Sequence, residues 1–176
     1  GVTNVNPHFG TCRNPWDRQR ISGGSSGGSA AALAASLCAG SLGTDSGGSI
    51  RIPASLCGIV GLKPTYGRVS LRGVLPLSWN TDHAGPMARS VEDTAILLQV
   101  IAGYDPDDPA SIRKPIDNYL AQLKEGVRGW RIALAEDELL ERNDPEIELA
   151  TQAAARVFAE LGAKVEKQAF PGLRAA

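Results

Sequence analysis

Apolar and small residues first crowd together between Gly28 and about Ala39, where Ala30, Ala31, Leu33, Ala34, Leu37 and Cys38 predict a helix pressed close to neighbouring backbone. Such a helix should be buried. The following "AGSLGTD" has side chains small enough for a central strand that something else approaches closely. "IVGLKPTYGRVSLRGVLPL" is broken so often by Gly and Pro that short strands and turns are expected there. "NTDHAGP" likewise has the residues of a turn.

Regular spacing returns in "SVEDTAILLQVIAG". Val91, Ala95, Leu98 and Ile101 share a helical face, Ser90 and Asp93 resemble a capping box, and Gly103 can close the end. After the turn-rich "DPDDPASI", the pattern runs helix, strand, helix, strand. "IDNYLAQLK" is a short helix stopped by Gly126, and "WRIALAE" reads as a buried strand. "DPEIELATQAAARVFAELG" has Asp144 as N-cap, Pro145 at the first helical position and Gly162 at its end. "AKVEKQAF" is expected as a half-exposed strand. Strands separated by helices in this way imply an α/β fold with a partly parallel sheet. Residues 1–22 read as an irregular segment laid over a core, with Trp16 as anchor.

Composition narrows the function classes. The 176 residues carry a net charge of −1 with basic and acidic side chains interspersed, so no basic stripe for nucleic acid and no membrane anchor is expected. Apolar runs stay well short of the roughly 20 residues that span a bilayer. Cys12, Cys38 and Cys57 fit neither a disulfide framework nor a zinc site and read as free thiols of a cytoplasmic protein. The chain opens on Gly1 and has no evident capping or tail logic at either end, so a piece of a longer protein is expected.

The chemistry concentrates in "GGSSGGSAAALAASLCAGSLGTDSGGSIRIP". A flexible tether would not enclose an apolar run, and a phosphate loop would need a Walker or G-x-G-x-x-G arrangement, which is absent. What remains is backbone free to take unusual angles around exposed hydroxyls, with successive N–H groups that could hold an oxyanion. A serine there needs a base to be nucleophilic. His8 and His83 sit in turn-like surroundings and read as structural or surface residues, and no G-x-S-x-G elbow occurs.

"GGSSGGSAAALAA" and "LGTDSGGSIRIPASLCGIVGLKPTYGRVS" resemble the amidase signature family, a likeness that runs from about Asn14 through "GPMARSVEDTAILLQVIAGYDPDDP" and more loosely beyond. The resemblance implies an α/β fold with a mixed β-sheet flanked by helices. It implies one partial domain over 1–176, with the signature core at about 14–110 and an α/β continuation over 111–176. It also implies hydrolysis of carboxylic amides by a Ser–cis-Ser–Lys triad without metal or organic cofactor. Ser49 would be the nucleophile, and Ser25, after a cis peptide from Gly24, would be the middle serine. Backbone N–H groups of Ser46, Gly47, Gly48 and Ser49 would form the oxyanion hole, braced by Asp45 and Arg51 and supported by Ser26 and Thr44.

Set beside these, Ser29, Ser36 and Ser41 read as packing or solvated residues, Lys63 as a loop brace, and Trp79 and Met87 as core or pocket wall. The family's base is an upstream lysine, yet before Ser25 the cations are Arg13, Arg18 and Arg20, and a guanidinium does not give up its proton. The chain alone is therefore expected to show little or no turnover. A small-molecule amide is the expected partner, and a homo-oligomer is left open. "LPLSWNTDHAGP" favours a general amidase of small or aryl-alkyl amides. The alternatives are a glutamine-hydrolysing subunit of a transfer-RNA-dependent amidotransferase and a non-catalytic remnant.

Overall fold

A computed structural model describes residues 1–136 and 143–169. Two compact units divide the chain, Gly1–Leu123 and Lys124–Ala176.

The first unit is built on a three-stranded antiparallel sheet in the order β3-β5-β4, where β3 is Gly40–Asp45, β4 is Val60–Gly61 and β5 is His83–Ala88. The strand expected from "AGSLGTD" forms, but at an edge of this sheet. The central position belongs to β5, whose first residues read as a turn in the sequence. Two helices, α1 (Gly27–Ala34) and α2 (Arg51–Cys57), supply most of the core. Ala30 and Leu33 from α1 meet Ile50, Ala54 and Cys57 at and along α2, together with Met87 of β5. The third helix, α3 (Val91–Ile101), packs on the other face, since strand residues alternate sides: a Cβ at Gly40 would touch Leu97 of α3, and one at Gly43 would touch Ile50 and Met87.

Close packing under α2 depends on one glycine in each strand. Added Cβ atoms at Gly43, Gly61 and Gly85 would lie 2.9, 2.8 and 3.0 Å from side-chain carbons of Ile50. Ile50 is fully buried against the flat patch these glycines leave.

Helix limits differ from the sequence reading for local reasons. The first helix stops at Ala34 rather than near Ala39, because Ser36 takes a left-handed φ of 58° and the Leu37 N–H turns back to the Ala32 carbonyl. Leu37, expected inside, is exposed. In α3 the Ser90 cap forms, its hydroxyl accepting the Asp93 N–H at 3.0 Å, and Ala95 and Leu98 are buried. Val91, expected on the same face, is exposed.

Residues 1–22 carry a short hairpin, β1 (Val5–Asn6) with β2 (Gly10–Thr11). They are tied to the C-terminal end of α2, where the last carbonyls of a helix lack intrahelical donors. Asn14 donates to the Leu56 carbonyl at 2.7 Å, and the Trp16 indole donates to that of Cys57 at 2.8 Å. Trp16 is thus held by its polar edge while most of its surface stays exposed. The unit closes with α4, Tyr119–Gln122, capped by Asn118.

The second unit pairs β6 (Arg131–Glu136) in parallel with β7 (Lys164–Ala169) through α5 (Pro145–Glu160). Asp144 caps α5 and Pro145 opens it, as the sequence predicts. The β6 strand, expected to be buried, is only partly so, since β7 is its one strand partner among the described residues. Phe170, the end of the predicted last strand, lies outside the described residues. The chain therefore combines helices with both antiparallel and parallel sheets.

A Cβ at Gly85 would collide with the Leu62 carbonyl oxygen, so β4 must move to admit it. Gly85→Ala is expected to destabilise the protein by about 1–3 kcal/mol, read as a lower urea midpoint.

Candidate active site

The two serine-bearing segments lie at the N-terminal ends of α1 and α2, and a short set of bonds joins them. The Gly24–Ser25 peptide is cis, the geometry expected from the resemblance. One residue on, the Ser26 N–H donates to the Ser49 carbonyl at 3.1 Å. The Ser26 hydroxyl accepts the Thr44 N–H at 3.1 Å and donates to the Thr44 carbonyl at 3.2 Å. Ser26 thereby couples the paired-serine loop both to β3 and to the loop that follows it. Thr44 takes part through its main chain. Ser25 is exposed, and Ser49 is half-buried.

Asp45 organises the loop from Ser46 to Ile50. Its carboxylate is fully buried and accepts the N–H groups of Gly48 at 2.7 Å, Ile50 at 3.1 Å and Arg51 at 3.4 Å. The Arg51 guanidinium adds a two-pronged bond, Nε to Oδ2 and Nη2 to Oδ1, both at 3.0 Å. Burial alone would raise the Asp45 pKa. The Arg51 bond and the three N–H bonds outweigh it, holding the carboxyl well below the ordinary carboxylate range. Asp45 and Arg51, expected as a bracing pair, are joined to each other by these bonds.

The Gly48 N–H, expected among the oxyanion donors, donates to the Asp45 carboxylate at 2.7 Å. At Gly48 a φ of 125° and a would-be Cβ contact of 2.7 Å with Ile52 account for glycine. Gly47 differs, because a Cβ on it would meet nothing within 4 Å, and a ligand could approach its backbone.

Sequence reasoning missed the groups on the far side of this loop. Ser46 donates its hydroxyl to Asp82 in a short hydrogen bond, and Asp82 also accepts the N–H groups of Leu77 at 2.7 Å and Ser78 at 2.9 Å. The Ser46 hydroxyl first, then those N–H groups, hold the Asp82 carboxyl below its ordinary range. Lys63 Nζ lies 3.1 Å from His83 Nε2 and 3.3 Å from the Pro64 carbonyl. The available signal was "NTD", since an Asp closing a turn ahead of a strand is placed to collect nearby N–H groups.

Of the remaining serines, Ser29 donates to the Leu42 carbonyl at 2.9 Å, a packing contact. Met87 is core, and Trp79 lines an open cavity of about 260 Å³ with Tyr66, Val74 and Asp82. Among the described residues no cluster of His, Cys, Asp and Glu could hold a metal ion, and no helix is long and apolar enough to cross a membrane.

The family model described as Amidase matches residues 1–176. The chain belongs to the amidase family. A curated relative, a glutamyl-tRNA(Gln) amidotransferase subunit of Syntrophobacter fumaroxidans, is 51% identical over 171 residues, covering 97% of this chain and 35% of that relative. Among solved structures, the corresponding glutamyl-tRNA(Gln) amidotransferase subunit of Thermotoga maritima aligns with a TM-score of 0.89 at 42% identity, over 94% of this chain and 36% of that one. The peptide amidase of Stenotrophomonas maltophilia aligns with a TM-score of 0.89 at 39% identity, over 99% of this chain and 36% of that one. The chain thus spans about a third of the length of the relatives it matches.

Because the Asp45 pKa is depressed on folding, its contribution is fully present above the ordinary carboxylate range and is lost as pH falls through the folded-state value. Asp45→Asn is expected to cost on the order of 3 kcal/mol at neutral pH. The deficit against the wild-type protein should narrow below about pH 4. Urea unfolding across that range checks both.

Proposed function

We propose that this chain carries the nucleophile and middle serine of an amide hydrolase. Ser49 attacks the amide carbonyl, Ser25 relays its proton, and N–H groups of the loop from Ser46 to Ser49, with Gly48's already engaged, receive the oxyanion. The observation that carries this reading is the bond from the Ser26 N–H to the Ser49 carbonyl, which sets the two serine segments side by side. The leaving amine takes its proton back through the same relay, and water then releases the acid from the acyl-enzyme. No metal or organic cofactor enters these steps.

The base in this reading is the lysine upstream of the paired serines that the resemblance implies, since the cations before Ser25, Arg13, Arg18 and Arg20, cannot accept a proton. Residues 1–176 are then one partial domain of a cytoplasmic enzyme, with free thiols at Cys12, Cys38 and Cys57. The first substrate class is small or aryl-alkyl amides, favoured by the aromatic "LPLSWNTDHAGP". A second reading is glutamine hydrolysis beside a partner subunit, favoured by the 51% identity to a relative named as an amidotransferase subunit.

The test uses the full-length protein encoded by the reading frame that contains this chain. Ammonia release from benzamide-type substrates and from glutamine, with and without a partner subunit, separates the two readings. Ser49→Ala is expected to lower kcat by about ten-thousand-fold on whichever substrate is turned over. Turnover at the wild-type rate in Ser49→Ala overturns the assignment.

A further inference from the structure

Next to the loop stands a second set of contacts that the proton relay does not use. His83 Nδ1 lies 2.6 Å from the Thr81 carbonyl and 3.2 Å from the Asp45 carbonyl, while Nε2 faces Lys63 Nζ at 3.1 Å. Carbonyls only accept hydrogen bonds and an ammonium only donates them. A single assignment therefore satisfies all three contacts: the neutral ring with its proton on Nδ1, shared between the two carbonyls, and a bare Nε2 accepting from Lys63. The Tyr66 ring packs edge-on against the imidazole, 5.5 Å between centroids, and so limits its rotation.

The Asp45 carbonyl belongs to the same peptide unit as the Ser46 N–H. In a trans peptide these two groups point in opposite directions. Holding the carbonyl toward His83 turns the Ser46 N–H away from it, and the bond from the Ser46 hydroxyl to Asp82 fixes the residue from a second direction.

We propose that His83, held as its Nδ1–H tautomer by Lys63, is a positioning residue that orients the Ser46 N–H as an oxyanion donor. The proposal rests on the amide-hydrolase reading for its catalytic consequence, but the tautomer does not. His83 touches no reacting atom. Its effect on rate is to keep one donor aimed before the transition state forms, so its loss falls on kcat rather than on KM.

Two measurements on the full-length protein test this. In ¹⁵N-labelled protein, the imidazole signals lost on His83→Leu should be those of an Nδ1–H ring, and an Nε2–H ring there overturns the proposal whether or not the protein is an amidase. In kinetics, His83→Leu is expected to lower kcat roughly 10- to 100-fold with KM within about twofold. His83→Asn, whose amide nitrogen falls near the Nδ1 position, should recover most of the loss at matched thermal stability. Unchanged kcat in His83→Leu, or equal losses in both variants, contradicts the positioning role. Absence of turnover in the wild-type protein would strike the hydrolase reading, and the tautomer would then decide the structural half.

Discussion

The buried carboxylate of Asp45 is the constraint around which this site is arranged. Removing a charge from water is costly unless donors surround it, and here the donors come from the very loop that carries Ser49. Satisfying Asp45 therefore requires the N–H groups of Gly48, Ile50 and Arg51 to converge, which draws the loop into a tight curl and starts α2. The Arg51 guanidinium closes the outer side of the same carboxylate. Loop shape, helix start and charge balance are thus one interaction seen from three sides.

That curl would be of no use without a flat surface beneath it. Gly43, Gly61 and Gly85 strip the sheet of side chains where Ile50 enters, so the start of α2 can lie almost on the strands. Gly24 and Gly27 do the same for the other serine segment, since a Cβ at either would collide with residues 1–4 or Ser22. The glycine richness of the region is mostly a matter of space. Gly28 and Gly47 are exceptions, since an added Cβ at either would meet nothing within 4 Å, and Gly47 lies in the loop that carries Ser49.

The sequence made α3 and α5 legible because each carries its own boundary signals, Ser90 before one and Asp144 with Pro145 before the other. It concealed α2 and β5. In α2 a proline, Pro53, stands in the first turn, where the missing N–H has no intrahelical partner to lose. In β5, Gly85 and Pro86 read as a turn. Pro86 is tolerated because its carbonyl accepts the Leu62 N–H, and its absent donor faces the same side, where β4 has already ended at Gly61. With β5 unread, His83 and Asp82 had no place beside the serine loop. The paired serines, Asp45 and Arg51 were legible through their motif, whereas the engagement of Gly48 with Asp45 depends on loop geometry that no spacing reveals.

The central claim, that Ser49 is an activated nucleophile, is tested most directly by treating the full-length protein with a fluorophosphonate and mapping the adduct by peptide mass spectrometry. A covalent adduct on Ser49, time-dependent and absent from Ser49→Ala, is expected. An unlabelled Ser49 under conditions that label another serine would contradict it.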